Sequence, residues 1–202
     1  MSAPASDASL RRYSAGAIAL HWIIAALVFA NIVIGLRFDG MHGLAKFSAL
    51  QWHKSFGITV LLLTLGRLGW RLAHPAPPYP DHMPAWEKAA ARTTHWGFYA
   101  LMLALPLTGW MMVSASPTNI PTVLYKVIPW PHIGPIHALP MAERKGLEGQ
   151  LADIHDLLAW GAILLIVLHV GAALKHQFRD RDEVLWRMIP FKALKPPAPK
   201  DS

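Results

Sequence analysis

Long apolar segments alternate with short polar ones along the chain. A helix needs about 20 apolar residues to cross the roughly 30 Å hydrocarbon core of a bilayer. Four windows meet or approach this requirement, and they cover residues 17–36, 56–72, 96–115 and 157–174. Proline-rich connections follow the second and third windows. The pattern predicts an all-α integral membrane four-helix bundle in one domain over residues 1–190, followed by a disordered tail over residues 191–202.

The composition agrees with a membrane protein. Apolar residues make up 53% of the 202 residues and charged residues only 15%. The net charge of +7 is not a sign of nucleic-acid binding, because the basic residues lie between the apolar windows. When the segments between the four windows are assigned in turn to opposite sides of the membrane, 13 of the 19 Lys and Arg residues lie on the side of the two termini. The positive-inside rule therefore predicts that both termini are cytoplasmic.

The chain has no cysteine. Disulfide frameworks, thiolate zinc sites, iron–sulfur clusters and c-type haem attachment are thereby excluded. A metal centre in this protein must rest on His, Met or carboxylate ligands.

Four histidines lie at or within the apolar windows, where such side chains are costly and indicate function. They are His21, His53, His155 and His169. The last two are 14 residues apart, which on a helix is about 21 Å along the axis and within about 40° of the same face. The predicted topology places His21 and His169 near the cytoplasmic side, and His53 and His155 near the opposite side. Two imidazoles on opposite helices can bind a haem iron from both sides, so the pattern predicts two b haems in the core.

Other residues agree with this interpretation. Gly35 follows His21 by 14 residues, at a depth where a missing side chain admits a porphyrin edge. Arg67 follows His53 by the same spacing, and it either pairs with haem propionates or snorkels to the interface. His95 is a partner for a propionate or quinone, or an interfacial residue. The remaining histidines lie in loops or the tail and are expected to be exposed: His42, His74, His82, His132, His137 and His176.

Several segments resemble the bacterial cytochrome b561 family, which are small di-haem b membrane proteins of four helices. The matching segments are RYS (12–14), ALHW (19–22), WHKSFG (52–57), GRL (66–68), WRL (70–72), ALPLTGW (104–110) and LWRMIP (185–190), together with His95, His155-Asp156 and His169. The resemblance implies a multi-pass protein of the bacterial inner membrane. It also implies that His21 and His169 ligate the cytoplasmic-side haem, and that His53 and His155 ligate the periplasmic-side haem.

The resemblance further implies a function in electron transfer between membrane quinone and a partner outside the bilayer. One branch is similar to superoxide oxidases, which take an electron from superoxide at the periplasmic face and deliver it to ubiquinone. For that activity, Lys54, Arg144 and Lys145 would attract the anion. Asp153 and Asp156 are candidate proton carriers near the periplasmic side. The expected partners are quinone, superoxide or a periplasmic redox protein, and the lipid bilayer, with no nucleic acid.

Two alternatives stay open from the residues. The first is a cytochrome b subunit that passes electrons from a periplasmic dehydrogenase or hydrogenase to quinone, with residues 120–136 as its docking surface. The second is a transporter that uses intramembrane histidines as metal ligands or proton relays. Such a carrier would be colourless, whereas a haem protein absorbs strongly in the visible range.

Overall fold

The computed structural model of the chain describes residues 12–190, and the predicted tail over residues 191–202 lies outside this range. The described part is mostly helical. Its elements in chain order are α1 (Ala15–Gly35), α2 (Gly43–Ala73), α3 (Ala85–Ala115), β1 (Thr122–Leu124), β2 (Ile128–Trp130), α4 (Gly134–His137) and α5 (Met141–Lys175). A π-helical turn, His176–Asp180, continues α5. Short 3-10 turns occupy Phe38–Gly40 and Trp186–Met188.

Four of these helices, α1, α2, α3 and α5, are long and apolar enough to cross a membrane. The predicted all-α membrane bundle is thereby confirmed. Three of the helices are much longer than the predicted windows. Helix α2 begins at Gly43 rather than near residue 56, α3 at Ala85 rather than near residue 96, and α5 at Met141 rather than near residue 157. At about 1.5 Å per residue, a 31-residue helix such as α2 is about 46 Å long. Hydropathy finds only the apolar part, and the polar first turns extend beyond it.

The helix ends follow local chemistry. The hydroxyl of Ser14 caps α1 by accepting from the backbone N–H of Ala17 at 3.4 Å. Trp70 Nε1 donates to the same hydroxyl at 2.9 Å, which ties the start of α1 to the end of α2. Prolines precede the first residues of α3 and α5, at Pro84 and Pro140. Their fixed φ suits the entry into a helix.

The core-facing positions of the four long helices recur at seven-residue intervals. Since seven residues fall only about 20° short of two full turns, each set shares one face. The sets are His21, Val28 and Gly35 on α1; His53, Val60 and Arg67 on α2; His95, Met102 and Gly109 on α3; and His155, Ala162 and His169 on α5. The middle member is apolar on every helix, and Val60, Met102 and Ala162 are buried.

These intervals divide the bundle into three layers. We call the layer of Gly35, His53, Gly109 and His155 the upper layer, and the layer of His21, Arg67, His95 and His169 the lower layer. Between them lies an apolar layer in which Ile24, Val60 and Met102 pack together with Val28 and Leu63. The apolar layer keeps two polar layers apart within a single bundle.

The connection between α3 and α5 folds onto the upper end of the bundle as a β-hairpin, which the sequence analysis did not predict. Strands β1 and β2 are antiparallel. The Gln51 side chain donates to Pro121 O at 2.8 Å and accepts from Val123 N–H at 3.2 Å. Tyr125 N–H donates to Ser55 Oγ at 2.9 Å. Since α2 supplies these partners, the hairpin is fixed against it.

Candidate functional site

The upper layer brings two predicted histidines together. His53 on α2 and His155 on α5 have ring centroids 6.2 Å apart, with ring planes at 67°. The two residues are 102 positions apart in the sequence, and the seven-residue intervals of α2 and α5 place them at the same height. The rings face each other without a direct hydrogen bond between them.

The lower layer contains the other predicted pair and a third imidazole. The ring centroids of His21 and His169 are 6.3 Å apart, at 73°. His95 on α3 lies equally close to His169, at 6.1 Å and 67°. His169 therefore stands between two imidazoles. From the sequence, His95 is a partner for a propionate or quinone or an interfacial residue, and its seven-residue spacing to Met102 and Gly109 places it in this layer.

Both ring separations suit a metal ion held from opposite sides. With metal–nitrogen bonds of about 2 Å, two imidazoles that bind one metal ion linearly have ring centres about 6 Å apart. The donor set also fits haem, since neutral histidine is an axial ligand of haem iron.

Glycines lie directly against both imidazoles of the upper layer. A Cβ at Gly35 would lie 3.6 Å from His53 Cε1, and one at Gly109 would lie 3.3 Å from His155 Cε1. The absence of side chains there leaves the imidazole edges accessible to a large flat group. Gly35 was singled out from the sequence and Gly109 was not. Its position 14 residues after His95 on α3 is the signal that identifies it.

One imidazole of the upper layer is oriented by a hydroxyl group. Thr108 Oγ1 lies 3.1 Å from His155 Nδ1 and 2.9 Å from the carbonyl oxygens of both Ala104 and Leu105. Because the single hydroxyl proton is donated to a carbonyl, the oxygen accepts from His155 Nδ1–H. This arrangement leaves His155 Nε2 free to bind a metal ion.

Some buried polar atoms in the membrane-spanning part have no hydrogen-bond partner among the described residues. They include His53 Nδ1, Asn31 Oδ1 and Thr64 Oγ1. Since an unpaired buried polar atom costs free energy, such atoms are expected where a bound group or water completes the core.

Arg67 lies in the lower layer, as its spacing from His53 predicted. Its Nη1 donates to Ala17 O at 3.2 Å, which holds the guanidinium between α2 and α1. The remaining N–H groups are available to a carboxylate of a bound group in the same layer.

The three predicted anion-attracting residues have different environments. Lys145 is exposed, and Lys54 Nζ donates to Pro121 O at 3.3 Å. Arg144 is only 5% exposed. It donates to Ala115 O at 3.2 Å, to Asn119 Oδ1 at 2.6 Å and to Ser116 O. Arg144 therefore holds the start of the loop after α3. Because the side chain is buried, its guanidinium has little direct contact with solvent.

Two of the loop histidines expected to be exposed stack on each other. The rings of His132 and His137 are 4.7 Å apart and nearly parallel, at 5°, and both residues are half-buried. Burial lowers the pKa of His132, and His137, Lys54 and Arg144 lower it further. Lys54 and Arg144 therefore lie near the stacked pair at the hairpin end of the bundle.

The structure corrects the expectation for His176, which is 9% exposed rather than solvent-exposed. Its ring pairs with Asp182, which follows the π-helical turn, and faces Glu87 on α3. This burial was not predictable from local sequence, because Glu87 lies on another helix and Asp182 lies beyond the fourth apolar window. His42, His74 and His82 are exposed as expected. The candidate proton carriers Asp153 and Asp156 are exposed too.

Comparison with known proteins agrees with this arrangement. The family described as prokaryotic cytochrome b561 matches residues 12–191. The chain is 31% identical to cytochrome b561 homolog 2 of Escherichia coli (strain K12), over 88% of this chain and 91% of the relative. It is also 31% identical to the protein of Yersinia pestis named probable superoxide oxidase CybB, over 90% of this chain and 98% of the relative. A third relative, cytochrome b561 homolog 1 of Escherichia coli (strain K12), is 31% identical over 90% of this chain and 98% of the relative.

Proposed function

Because this chain belongs to the prokaryotic cytochrome b561 family and is a haem b electron-transfer protein of a bacterial membrane, we propose that it holds two haems and oxidises superoxide with ubiquinone as electron acceptor. His53 and His155 hold the haem of the upper layer, and His21 and His169 hold that of the lower layer. The observation that carries the proposal is the matched separation of the two pairs, at 6.2 Å and 6.3 Å.

Bound haem supplies reversible one-electron chemistry. With two histidines in each layer as its ligands, bound haem would supply electron transfer and no site for oxygen to bind. Arg67 compensates the negative charge of a propionate in the lower layer. The apolar layer of Ile24, Val60 and Met102 keeps water out between the two sites.

The proposed reaction transfers two electrons from two superoxide ions to one ubiquinone. Two superoxide ions each lose one electron and become two molecules of O₂. Ubiquinone takes up these two electrons with two protons and becomes ubiquinol. The name of the Yersinia pestis relative supports the choice of superoxide, and so does the positive field of Lys54, Arg144 and Lys145 at the upper end.

The proposal includes an orientation for the protein. With both termini cytoplasmic, as the distribution of Lys and Arg favours, the upper layer and the hairpin lie on the periplasmic side of the inner membrane. The lower layer then lies on the cytoplasmic side.

Stopped-flow spectroscopy of the purified protein tests the activity. Superoxide added to the oxidised protein is expected to produce the absorbance of reduced b haem, and a soluble ubiquinone added afterwards is expected to restore the oxidised spectrum. Haems that superoxide leaves oxidised would contradict the superoxide activity while leaving the haem assignment intact.

The exposed hairpin supports a second candidate function. Val127 and Ile128 at the hairpin turn are 78% and 54% exposed, and an exposed apolar surface of this kind suits a protein partner. In this alternative, a periplasmic dehydrogenase or hydrogenase supplies the electrons to the same two haems. Two haems that quinol reduces and superoxide does not would favour it.

The transporter alternative is set aside, since the chain belongs to a cytochrome family.

The two lysines at the upper end are expected to control the rate of superoxide capture. Replacing Lys54 and Lys145 together with Gln is expected to slow haem reduction by superoxide about three- to tenfold at low salt and to weaken its salt dependence. Arg144 is left in place, because its side chain holds the loop. The control is Lys88→Gln near the opposite end, which should leave the rate unchanged. Equal rates in the double variant and the wild type would refute electrostatic attraction at this end.

Thr108 is expected to tune the haem of the upper layer. Thr108→Val removes the acceptor for His155 Nδ1–H and makes the imidazole a weaker donor, so reduction of that haem becomes more favourable by roughly tenfold in its equilibrium constant. Thr108→Ser keeps the acceptor and should restore the wild-type value. A spectroscopic redox titration resolves both haems, and the lower-layer haem is the internal control. Equal titration curves for Val, Ser and wild type would show that the hydroxyl does not orient the ligand.

A further inference from the structure

A further histidine continues the core-facing positions of α5 beyond the two layers. His176 follows His169 by seven residues and lies about 10.5 Å further along the axis, by the helical rise. It is 9% exposed. Electron transfer between two haems makes no use of it, so its burial at the lower end of the bundle calls for its own explanation.

His176 lies in a cluster of charged groups that we call the lower-end cluster: Glu87, Lys175, His176, Asp180 and Asp182. His176 Nδ1 lies 2.7 Å from Asp182 Oδ2 and 3.3 Å from Asp180 Oδ2. On the other side of the ring, Nε2 lies 3.8 Å from Glu87 Oε2. Lys175 Nζ bridges Glu87 Oε1 at 2.6 Å and Asp180 Oδ2 at 2.7 Å.

The charge balance of this cluster favours a bound proton. Glu87 and Asp180 face the Lys175 ammonium group, and Asp182 lies against the His176 ring, so a proton on His176 places a second positive charge among the three carboxylates. Both ring nitrogens face carboxylate oxygens, whereas a neutral ring would turn a lone pair toward one of them. Asp182 lies outside the membrane-spanning helices. Burial raises its pKa, but hydrogen bonds from His176 and Val184 N–H hold that pKa below its ordinary value. Asp182 is thus a stable anionic partner.

A route to water is also present. His82 Nε2 lies 3.6 Å from the same Asp182 Oδ2, and the His82 side chain is 61% exposed. A proton that leaves His176 can therefore be replaced from solvent through the carboxylate of Asp182. A divalent cation does not suit the cluster, because Lys175 Nζ already lies between the Glu87 and Asp180 oxygens.

We propose that the lower-end cluster is a proton-holding site that is coupled to electron arrival in the lower layer, with His176 as the group that binds and releases the proton. The inference rests on the proposed function, since it requires a haem between His21 and His169. An electron added there strengthens proton binding at His176, because charges about 10 Å apart interact appreciably across the low-dielectric interior. When ubiquinone takes two electrons and two protons, the imidazolium releases one of these protons and is reprotonated from solvent.

Redox titration of the full-length holoprotein at several pH values tests the proposal. In the wild type, the equilibrium constant for reducing the lower-layer haem is expected to fall by up to tenfold per pH unit over part of the neutral range, as one proton per electron requires. In His176→Asn, whose amide can still donate to Asp182 but does not titrate, the change is expected to be less than about twofold per pH unit. Proton uptake on chemical reduction, followed with an indicator dye, should fall correspondingly.

Three controls make the result specific. His74→Asn changes an exposed histidine at the same end of the bundle, which stacks on Trp70, and should keep the wild-type pH dependence. The upper-layer haem is an internal control with little pH dependence. Asp182→Asn keeps an acceptor but removes a charge, so the pH-dependent range should move to lower pH; this variant decides the question if His176→Asn does not fold.

The outcomes separate the two proposals. A pH dependence that is unchanged in His176→Asn, or absent in the wild type with two haems bound, would overturn the proton-holding site alone. Lack of a lower-layer haem in the wild type would overturn both, and the haem content per chain shows this before any titration.

Discussion

Replacing His169 with Ala is expected to remove the haem of the lower layer while the upper haem stays bound. His169 is central to this layer, because both His21 and His95 lie near it, at 6.3 Å and 6.1 Å between ring centroids. Without His169, neither of them has its opposing ligand. The measurement is haem per chain in the purified variant, which should fall from two to one.

Two further variants distinguish the possible partners of His169. His21→Ala should also lose the lower haem, whereas His95→Ala should keep both haems, since His95 is proposed to lie beside the site rather than to ligate. A variant His169→Ala that keeps two haems would refute the ligand assignment. Loss of the lower haem in His95→Ala, with retention in His21→Ala, would show that the partner of His169 is His95 on α3 rather than His21 on α1.

Replacing Gly109 with Val is expected to remove the haem of the upper layer. A Cβ at Gly109 already lies 3.3 Å from His155 Cε1, so the branched methyl groups of Val would take up the space beside the imidazole and displace the ring. The expected result is one haem per chain, with an unchanged lower haem in the redox titration.

Gly161→Val is the matched control for Gly109→Val. It places the same side chain in a membrane-spanning helix, at a position where a Cβ meets nothing within 4 Å. It should keep both haems. This result would show that the loss in Gly109→Val comes from crowding beside His155 and not from the low helix propensity of Val. Two haems in Gly109→Val would show that the upper haem does not lie against this glycine.

The fold was largely predictable because its main determinant is the length of apolar runs. Four windows predicted four helices, and the structure contains them. The polar extensions that begin at Gly43, Ala85 and Met141 were missed, since helices that leave the hydrocarbon region lose the hydropathy signal. The hairpin was missed for another reason. Its turn uses Tyr125 and Lys126 at positive φ, of 53° and 63°, where the usual signal is Asn or Gly.

The site was predictable where residues repeat on one helix face. The 14-residue spacing from His155 to His169 depends only on helix geometry, and the structure places each near a histidine of another helix. The environments of Arg144 and His176 depend instead on contacts between distant segments. Arg144 binds carbonyl groups about 28 residues away, and His176 pairs with Glu87 on another helix. No local pattern encodes such contacts.

The central claim is that one haem lies in each histidine layer. A reduced-minus-oxidised difference spectrum of the purified wild-type protein, with haem quantified per chain, tests it most directly. We predict two b haems per chain, without covalent attachment, that titrate as two separate components. One haem per chain, or none, would contradict the account.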